Sequence, residues 1–238
     1  MKNAYLTFCC SALAISVFLL SAGSGAQAAD AKKSAKAPKG EAAKAPKDEP
    51  KAAAPAKLGP SPMADLKRYD AALKKLFQRQ APSWSPEADA KRSEMRKIVI
   101  SFLDFEELSH RALARHWDGL SAKQREEFVA TLRDLIERNY IRQVHGSPNY
   151  DLVFEKESVN GTDADVFATL HTVARGKKVD VVMEYKLLAK DNRWLVYDVI
   201  TDEQSMLETY RAEFNKTINK ESFDALLRRM KKKLEEKE

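Results

Sequence analysis

The stretch of sequence that decides the fold runs from residue 178 to residue 200 and reads KVDVVMEYKLLAKDNRWLVYDVI. In its first half apolar side chains alternate with mostly charged ones, and the apolar set is Val179, Val181, Met183, Tyr185 and Leu187. Because successive side chains of a strand point to opposite faces, this alternation predicts a strand with one covered and one solvated face. Asp191-Asn192 then predicts a tight turn into a second, antiparallel strand.

Two more β-rich runs precede this hairpin, near residues 150–159 and 164–174. Asn160-Gly161 separates the first run from the second, and Arg175-Gly176 separates the second from the hairpin. Such short connections imply antiparallel neighbours, since parallel strands need long crossovers. Together with the last run, near 193–200, they predict a four-stranded meander.

Apolar residues repeat at helical spacing on both sides of the meander. The stripe of the first helix is Leu66, Tyr69, Leu73, Leu76 and Phe77. Three pairs have the spacing of a helix capping box, namely Asp104 with Glu107, Ser121 with Gln124, and Thr201 with Gln204. The helix after Asp104 is expected to run to about Trp117. The whole pattern predicts an α+β domain over residues 63–238, in which a curved antiparallel sheet of about four strands packs against helices.

The N-terminal residues 1–28 have the features of a secretory signal peptide. Lys2 precedes an apolar run, and Ala26-Gln27-Ala28 supplies the small residues that favour cleavage before Ala29. Both cysteines of the chain lie inside this segment, so a cleaved protein has no disulfide, thiol nucleophile or cysteine metal ligand. The expected location is the periplasm; the alternative is a segment that stays uncut as an inner-membrane anchor.

Residues 29–62 consist mainly of alanine, lysine and proline and are expected to form a disordered arm. Eight lysines and four acidic residues give this arm a charge of +4, out of +6 for the chain. Residues 63–238 carry 32 basic and 31 acidic residues. A nearly neutral domain argues against a nucleic-acid binder, which usually carries a basic face of its own.

The sequence contains no strong enzymatic or metal-binding signature, and we predict no catalytic residue, metal site or cofactor. The residues alone leave at least two kinds of function open for a periplasmic domain of this fold. One is an enzyme on the same fold with Asp198 or His171 as its base, which requires that side chain to face a polar, enclosed pocket. The other is a module that binds proteins and not lipids, in which the sheet and helices enclose only a filled core. Periodicity does not distinguish an apolar cavity from such a core.

Two parts of the chain resemble a known family. The first comprises residues 102–108, 111–117 and 124–128, and reads FLDFEEL, RALARHW and QREEF. The second comprises residues 185–187, 194–199 and 210–214, and reads YKL, WLVYDV and YRAEF, with Ser205 between the last two. In order and spacing, these segments resemble the periplasmic MlaC family, also called the toluene-tolerance family. The resemblance does not extend to residues 201–204, TDEQ, where the family tends to have an apolar, glycine-containing link.

The resemblance implies a fold similar to nuclear-transport-factor-2-like domains, with an apolar cavity that holds the acyl chains of a phospholipid. It implies a monomeric carrier that keeps the outer membrane asymmetric and whose cargo is phospholipid. Its partners would be an inner-membrane ABC transporter with its lipid-binding substrate protein, and an outer-membrane lipoprotein–porin complex. Together with the sheet alternation it suggests a set of lipid-contacting residues: Leu113, Val181, Met183, Tyr185, Trp194, Val196, Tyr210 and Phe214.

Overall fold

A computed structural model of the chain describes residues 61–79, 85–143, 150–174 and 176–236. The predicted signal peptide and all but the last two residues of the predicted arm lie outside these residues. The helices are α1 (Pro62–Gln78), α2 (Pro86–Phe102), α3 (Phe105–Leu113), α4 (Ala122–Gln143), α5 (Met206–Lys220) and α6 (Phe223–Glu235), with a 3-10 turn at Ala114–His116. The strands are β1 (Tyr150–Asn160), β2 (Asp163–Ala174), β3 (Lys177–Lys190), β4 (Arg193–Thr201) and β5 (Gln204–Ser205). The predicted α+β fold is confirmed.

The five strands form one antiparallel sheet in the order in which they occur along the chain. Between β3 and β4, Asp191 and Asn192 both adopt positive φ, the conformation that a tight hairpin turn requires. Gly161 takes positive φ between β1 and β2. These turns were predicted correctly, whereas the two-residue strand β5 was not foreseen.

One face of the sheet is covered and the other is open to solvent, as the alternation predicts. On β3, Val181, Met183 and Tyr185 are buried, whereas Val182 between them is 62% exposed. Strand β4 departs from this pattern, because all six residues from Trp194 to Val199 are buried. A register shift at Lys186/Leu187 and the helices around β4 explain why both of its faces are covered.

Local side-chain chemistry sets where two of the helices start. At α4, Ser121 Oγ accepts from the Gln124 N–H and Gln124 Oε1 accepts from the Ser121 N–H, so this capping box is confirmed. At α3, Asp104 accepts from the Glu107 N–H at 3.0 Å, but the Asp104 N–H donates to the carbonyl of Val196 on β4. In a full capping box the Glu107 side chain would accept from the Asp104 N–H, and here the carbonyl of Val196 takes its place.

Two predicted helix boundaries are wrong. Helix α3 ends at Leu113 and not near Trp117, because Ala114 adopts a φ of 45°, which interrupts the helix. Thr201 does not cap α5; it pairs with Gln204 across a hairpin whose central residues, Asp202 and Glu203, both have positive φ. Ser205 is the cap instead, and its Oγ accepts from the Glu208 N–H at 2.9 Å.

Buried side chains form one core with two layers. In the first layer, α1 and the end of α2 cover the apolar face of the sheet. In the second layer, α3, α4, α5 and α6 pack on one another, and Phe128 of α4 lies 5.4 Å from Phe214 and 5.9 Å from Phe223 between ring centres. The two layers meet at β4, which contacts both α2 and α5.

Candidate functional site

A small apolar pocket lies between α1 and the covered face of the sheet. Its lining consists of Leu66, Tyr69, Asp70, Leu73, Phe102, Leu152, Phe154 and Tyr185. The pocket encloses about 20 Å³, which is room for a single water-sized molecule. Pockets that bind small organic ligands measure roughly 300–1,000 Å³. In this structure the space under α1 is therefore largely filled by side chains.

Helical spacing on α1 and alternation on the strands bring these side chains together. Leu66, Tyr69 and Leu73 are three or four residues apart, so they share the inward face of α1. Opposite them, the rings of Phe154 on β1 and Tyr185 on β3 lie 6.4 Å apart. The result is an apolar surface on the helix that faces an apolar surface on the sheet.

Two polar contacts hold the N-terminal end of α1 on the sheet. Asp65 is 1% exposed, and its Oδ2 accepts a hydrogen bond of 3.1 Å from the backbone N–H of Trp194 on β4. Its other oxygen, Oδ1, pairs with Arg68 at 3.0 Å. At the first turn of the helix, the Met63 N–H donates to Glu157 Oε2 on β1 at 2.8 Å. A buried carboxylate of the helix and an exposed carboxylate of the sheet therefore both hold this end of α1.

A second group of polar contacts joins the middle of α1 to β1. The Tyr150 hydroxyl donates to Asp70 Oδ1 at 3.0 Å. Lys74 Nζ lies 3.1 Å from Asp70 Oδ2 and 3.2 Å from Asp151 Oδ1. Burial alone would lower the pKa of Lys74, but the hydrogen bonds with Asp70 and Asp151 raise it above its ordinary value. Lys74 therefore stays charged and bridges helix and strand.

All eight predicted lipid-contacting residues are buried, but the structure places them in both layers of the core. Tyr185 lines the pocket under α1. Val181, Met183, Trp194 and Val196 lie on strands β3 and β4. The helical residues Leu113, Tyr210 and Phe214 belong to the second layer, where the ring of Tyr210 stacks on that of Phe214 at 5.4 Å. The structure therefore does not bring the eight residues around a single cavity.

Seven of the eight pocket-lining residues are absent from the predicted set. Three of them, Leu66, Tyr69 and Leu73, stand in the helical stripe of α1 that the sequence does reveal. The sequence does not show which helix covers the sheet, because an amphipathic stripe predicts that one face of a helix is buried but not which element it packs against.

Asp198 does not have the surroundings of a catalytic base. It is 3% exposed, and its carboxylate accepts from Ser205 Oγ at 2.6 Å and from the Leu207 N–H at 2.9 Å. Both oxygens are therefore used to fix the start of α5 against β4. The structure supports the role of a buried hydrogen-bonding residue for Asp198.

His171 lies on the solvated face of the sheet and not in an enclosed pocket. Its Nδ1 atom is 2.7 Å from Asp180 Oδ1 on the neighbouring strand, and both side chains are exposed. The sequence shows no acidic partner close to His171 because the strand register, and not the chain order, brings Asp180 opposite to it. This pair does not meet the condition for the enzyme alternative.

Glu213 of α5 is a partly buried carboxyl whose Oε2 has no hydrogen-bond partner among the described residues. Burial raises the pKa of Glu213 above its ordinary value, although Lys233 and Lys216 partly offset this effect. A raised folded pKa means that the folded chain binds the proton more tightly than the unfolded chain. Stability from this group is therefore fully present below its ordinary pKa and is lost as the pH rises through the folded pKa.

Replacement of this carboxyl by an amide, Glu213→Gln, is expected to stabilise the protein at pH 7 by less than about 1 kcal/mol, since the group keeps some solvent contact. The gain should disappear below about pH 4, where the glutamate is protonated in both folded and unfolded chains. Thermal unfolding of the variant and the parent across this pH range measures the difference. The exposed Glu126 of α4 provides a control, since Glu126→Gln should change little. An equal gain at every pH would contradict the expected role of burial.

Within residues 61–79, 85–143, 150–174 and 176–236, no three His, Cys, Asp or Glu side chains are grouped so that they could hold a metal ion. Over the same residues, no helix has both the length and the apolar character needed to cross a membrane.

The fold is similar to that of a solved protein structure. A solved structure of similar fold is the phospholipid-binding protein from Ralstonia solanacearum in complex with a phospholipid. Its TM-score is 0.60 at 18% sequence identity, and the match covers 73% of this chain and 96% of that one. At this identity the likeness concerns the fold alone.

Sequence comparison identifies the family. The intermembrane phospholipid transport system binding protein MlaC of Haemophilus influenzae is 24% identical over 141 residues, which cover 58% of this chain and 66% of the relative. The chain thus spans slightly less than two thirds of that relative's length. A model of the family described as MlaC protein matches residues 68–232. Because these residues make up more than half of its 238 residues, the chain belongs to the MlaC family.

Proposed function

We propose that this protein binds phospholipid and carries it between the two membranes of the cell envelope, with the acyl chains held between α1 and the sheet. The observation that carries the proposal is the pair of apolar surfaces under α1, in a chain of the MlaC family. Support comes from a relative named as a phospholipid transport protein and from a structural neighbour named as a phospholipid-binding protein.

The energetics of burial agree with such a role. Each methylene moved out of water contributes about 0.8 kcal/mol, so one chain of about 15 methylenes gains roughly 12 kcal/mol in an apolar cavity. In the bilayer the same chain is already out of water. The free energy of transfer of the chain between membrane and protein is therefore close to zero. Membrane-bound partners can then set the direction of transfer.

Binding of an acyl chain requires the space under α1 to grow well beyond its 20 Å³. The contact between α1 and the sheet is suited to opening, because it includes carboxylates and a lysine that water can solvate when the surfaces separate. Interfaces that form and break are generally more polar than permanent ones. In our proposal the helix and the sheet move apart and close on the chains.

The proposal extends to location and partners. The chain would act in the periplasm after export through its N-terminal segment. It would receive or deliver lipid at an inner-membrane ABC transporter with its lipid-binding substrate protein, and at an outer-membrane lipoprotein–porin complex. The residues proposed from the sequence on β3 and β4 would contact the chains once the cavity opens, and Tyr185 already lines the pocket, whereas Leu113, Tyr210 and Phe214 lie in the second layer.

Lipid bound to the purified full chain tests the proposal directly. The protein is isolated under non-denaturing conditions, and native mass spectrometry and lipid extraction measure the phospholipid per chain. Phe154→Asp places a carboxylate in the lining of the pocket and is expected to remove most of the bound lipid. Val153→Asp is the matched control: Val153 is the next residue on β1, points to the solvated face and is 42% exposed, so this variant should keep its lipid. Absence of phospholipid from the parent protein would refute the proposed function.

A further inference from the structure

Two hydroxyl groups lie unpaired in the apolar helical layer. Ser109 of α3 and Tyr210 of α5 are both fully buried, and neither Ser109 Oγ nor the Tyr210 hydroxyl has a hydrogen-bond partner among the described residues. The two helices are in direct contact, since Arg211 Nε on α5 donates to the carbonyl of Arg111 on α3 at 3.1 Å. The hydroxyls thus stand on adjacent helices.

Aromatic and aliphatic side chains surround these hydroxyls, together with the carboxyl group of Glu213 near Tyr210. The Tyr210 ring stacks on Phe214 at 5.4 Å, and Phe214 meets Phe128 edge-on. Next to Ser109, the side chains of Leu108 and Leu113 are fully buried. A buried hydroxyl without a partner carries an uncompensated cost of desolvation. Phenylalanine and alanine would fill nearly the same space at these positions without that cost.

Among the described residues, seven buried side-chain oxygen or nitrogen atoms have no hydrogen-bond partner, and only those of Ser109 and Tyr210 are hydroxyls. Thr131 donates to the carbonyl of Glu127 at 2.7 Å, and Asp198 accepts two hydrogen bonds. The hydroxyls of Ser109 and Tyr210 therefore differ from the buried hydroxyl of Thr131, which has a partner within the protein. Groups that cost stability and are nevertheless present are typical of sites that bind something.

We propose that Ser109 and Tyr210 form a polar anchor between α3 and α5 that donates hydrogen bonds to an ester carbonyl oxygen of the bound phospholipid. This inference rests on the proposed function. An ester carbonyl is a neutral acceptor within an otherwise apolar part of the molecule, so it suits donors that are surrounded by hydrocarbon side chains.

Charge at the site favours the ester over the phosphate of the lipid. Burial and the neighbouring Glu213 raise the pKa of Tyr210 far above its ordinary value, so the phenol remains a neutral donor. The same carboxylate would repel a phosphate group. In this arrangement the glycerol ester region enters the protein and the phosphate stays outside the helical layer.

Removing the two hydroxyls one at a time shows whether each contributes to phospholipid affinity or to the stability of the fold. Tyr210→Phe and Ser109→Ala each remove a hydroxyl that has no partner within the described protein, so each variant should melt at the temperature of the parent or above it. Each should also bind phospholipid about 2- to 10-fold more weakly, the ratio that corresponds to loss of one neutral hydrogen bond. Exchange against a fluorescent phospholipid measures relative affinity, and thermal unfolding measures stability. Thr131→Val is the control, because its hydroxyl has a partner within the protein: it should lower stability and leave lipid affinity unchanged.

Three results are possible for the variants of a parent that carries phospholipid. Weaker binding at equal or higher stability supports the anchor. Unchanged lipid affinity in both variants overturns it, and so does a lower melting temperature without loss of affinity, since the hydroxyls would then have a structural role. A parent that carries no phospholipid refutes the proposed function itself, which is a different failure.

Discussion

A covalent bridge between α1 and β1 is expected to stop the protein from taking up phospholipid. Lys74 and Asp151 face each other with 3.2 Å between Nζ and Oδ1, so cysteines at these two positions can be joined by a short bismaleimide. Because the pocket beneath α1 holds only about 20 Å³, a helix that cannot leave the sheet leaves no room for an acyl chain. Exchange of fluorescent phospholipid between vesicles and protein should slow at least about tenfold, as expected when a gating motion is blocked.

A second bridge provides the matched control. Arg79 and Glu94 join α1 to α2 with 2.6 Å between Nη1 and Oε2, so a bridge there ties the two helices together without a direct link between α1 and the sheet. This protein should exchange lipid at close to the parent rate. A chain that keeps residues 1–28 also needs Cys9 and Cys10 replaced by serine, so that the introduced thiols are its only ones. Normal exchange by the Lys74–Asp151 bridged protein would show that lipid does not enter under α1.

Loss of the Asp198 carboxylate is expected to cause a large fall in stability. Asp198→Ala leaves the buried Leu207 N–H and the Ser205 hydroxyl without their acceptor. Each unsatisfied buried donor costs about 1–3 kcal/mol, so the free energy of unfolding should fall by roughly 2–4 kcal/mol. Chemical denaturation with urea measures this quantity.

The amide variant Asp198→Asn shows whether the hydrogen bonds are the cause. It keeps one acceptor oxygen of the same shape, so its loss of stability should be clearly smaller than that of the alanine variant. A general base in a polar pocket would behave in the opposite way, because removal of a buried active-site charge commonly leaves stability unchanged or raises it. A stable Asp198→Ala protein would therefore revive the enzyme alternative.

The sheet could be read from the sequence because its signals are local. Alternation along β3 and the turn at Asp191-Asn192 depend on residues that are close together in the chain. The wrong cap at Thr201 has a physical explanation: a capping-box spacing and a two-residue hairpin use the same kinds of residue over the same length. In the structure Thr201 and Gln204 pair as strand residues, so they form a hairpin and not a helix cap. Residue types and their spacing do not show which of these two structures forms.

The candidate site was less predictable than the fold because it depends on which layers meet. Tyr185 was found through the alternation of β3, whereas Leu66 and Leu73 were recognised as buried without a known partner. The contact between Asp65 and Trp194 joins residues 129 positions apart, and no local pattern reports such a pair. For the same reason, the unpaired state of Tyr210 became visible only when its neighbours in space were known.

The contact between the start of α3 and β4 has a consequence for how copies of this protein behave when crowded. Exposed strand edges are templates on which other chains can add and aggregate. On β4 this edge is occupied by β5 at Ile200 and by the backbone of residues 103–104 at Val196. The opposite edge, β1, is interrupted by a bulge near Glu155 and carries charged side chains around it. One edge is thus capped by the protein's own chain and the other is kinked and charged, which protects the sheet against polymerisation.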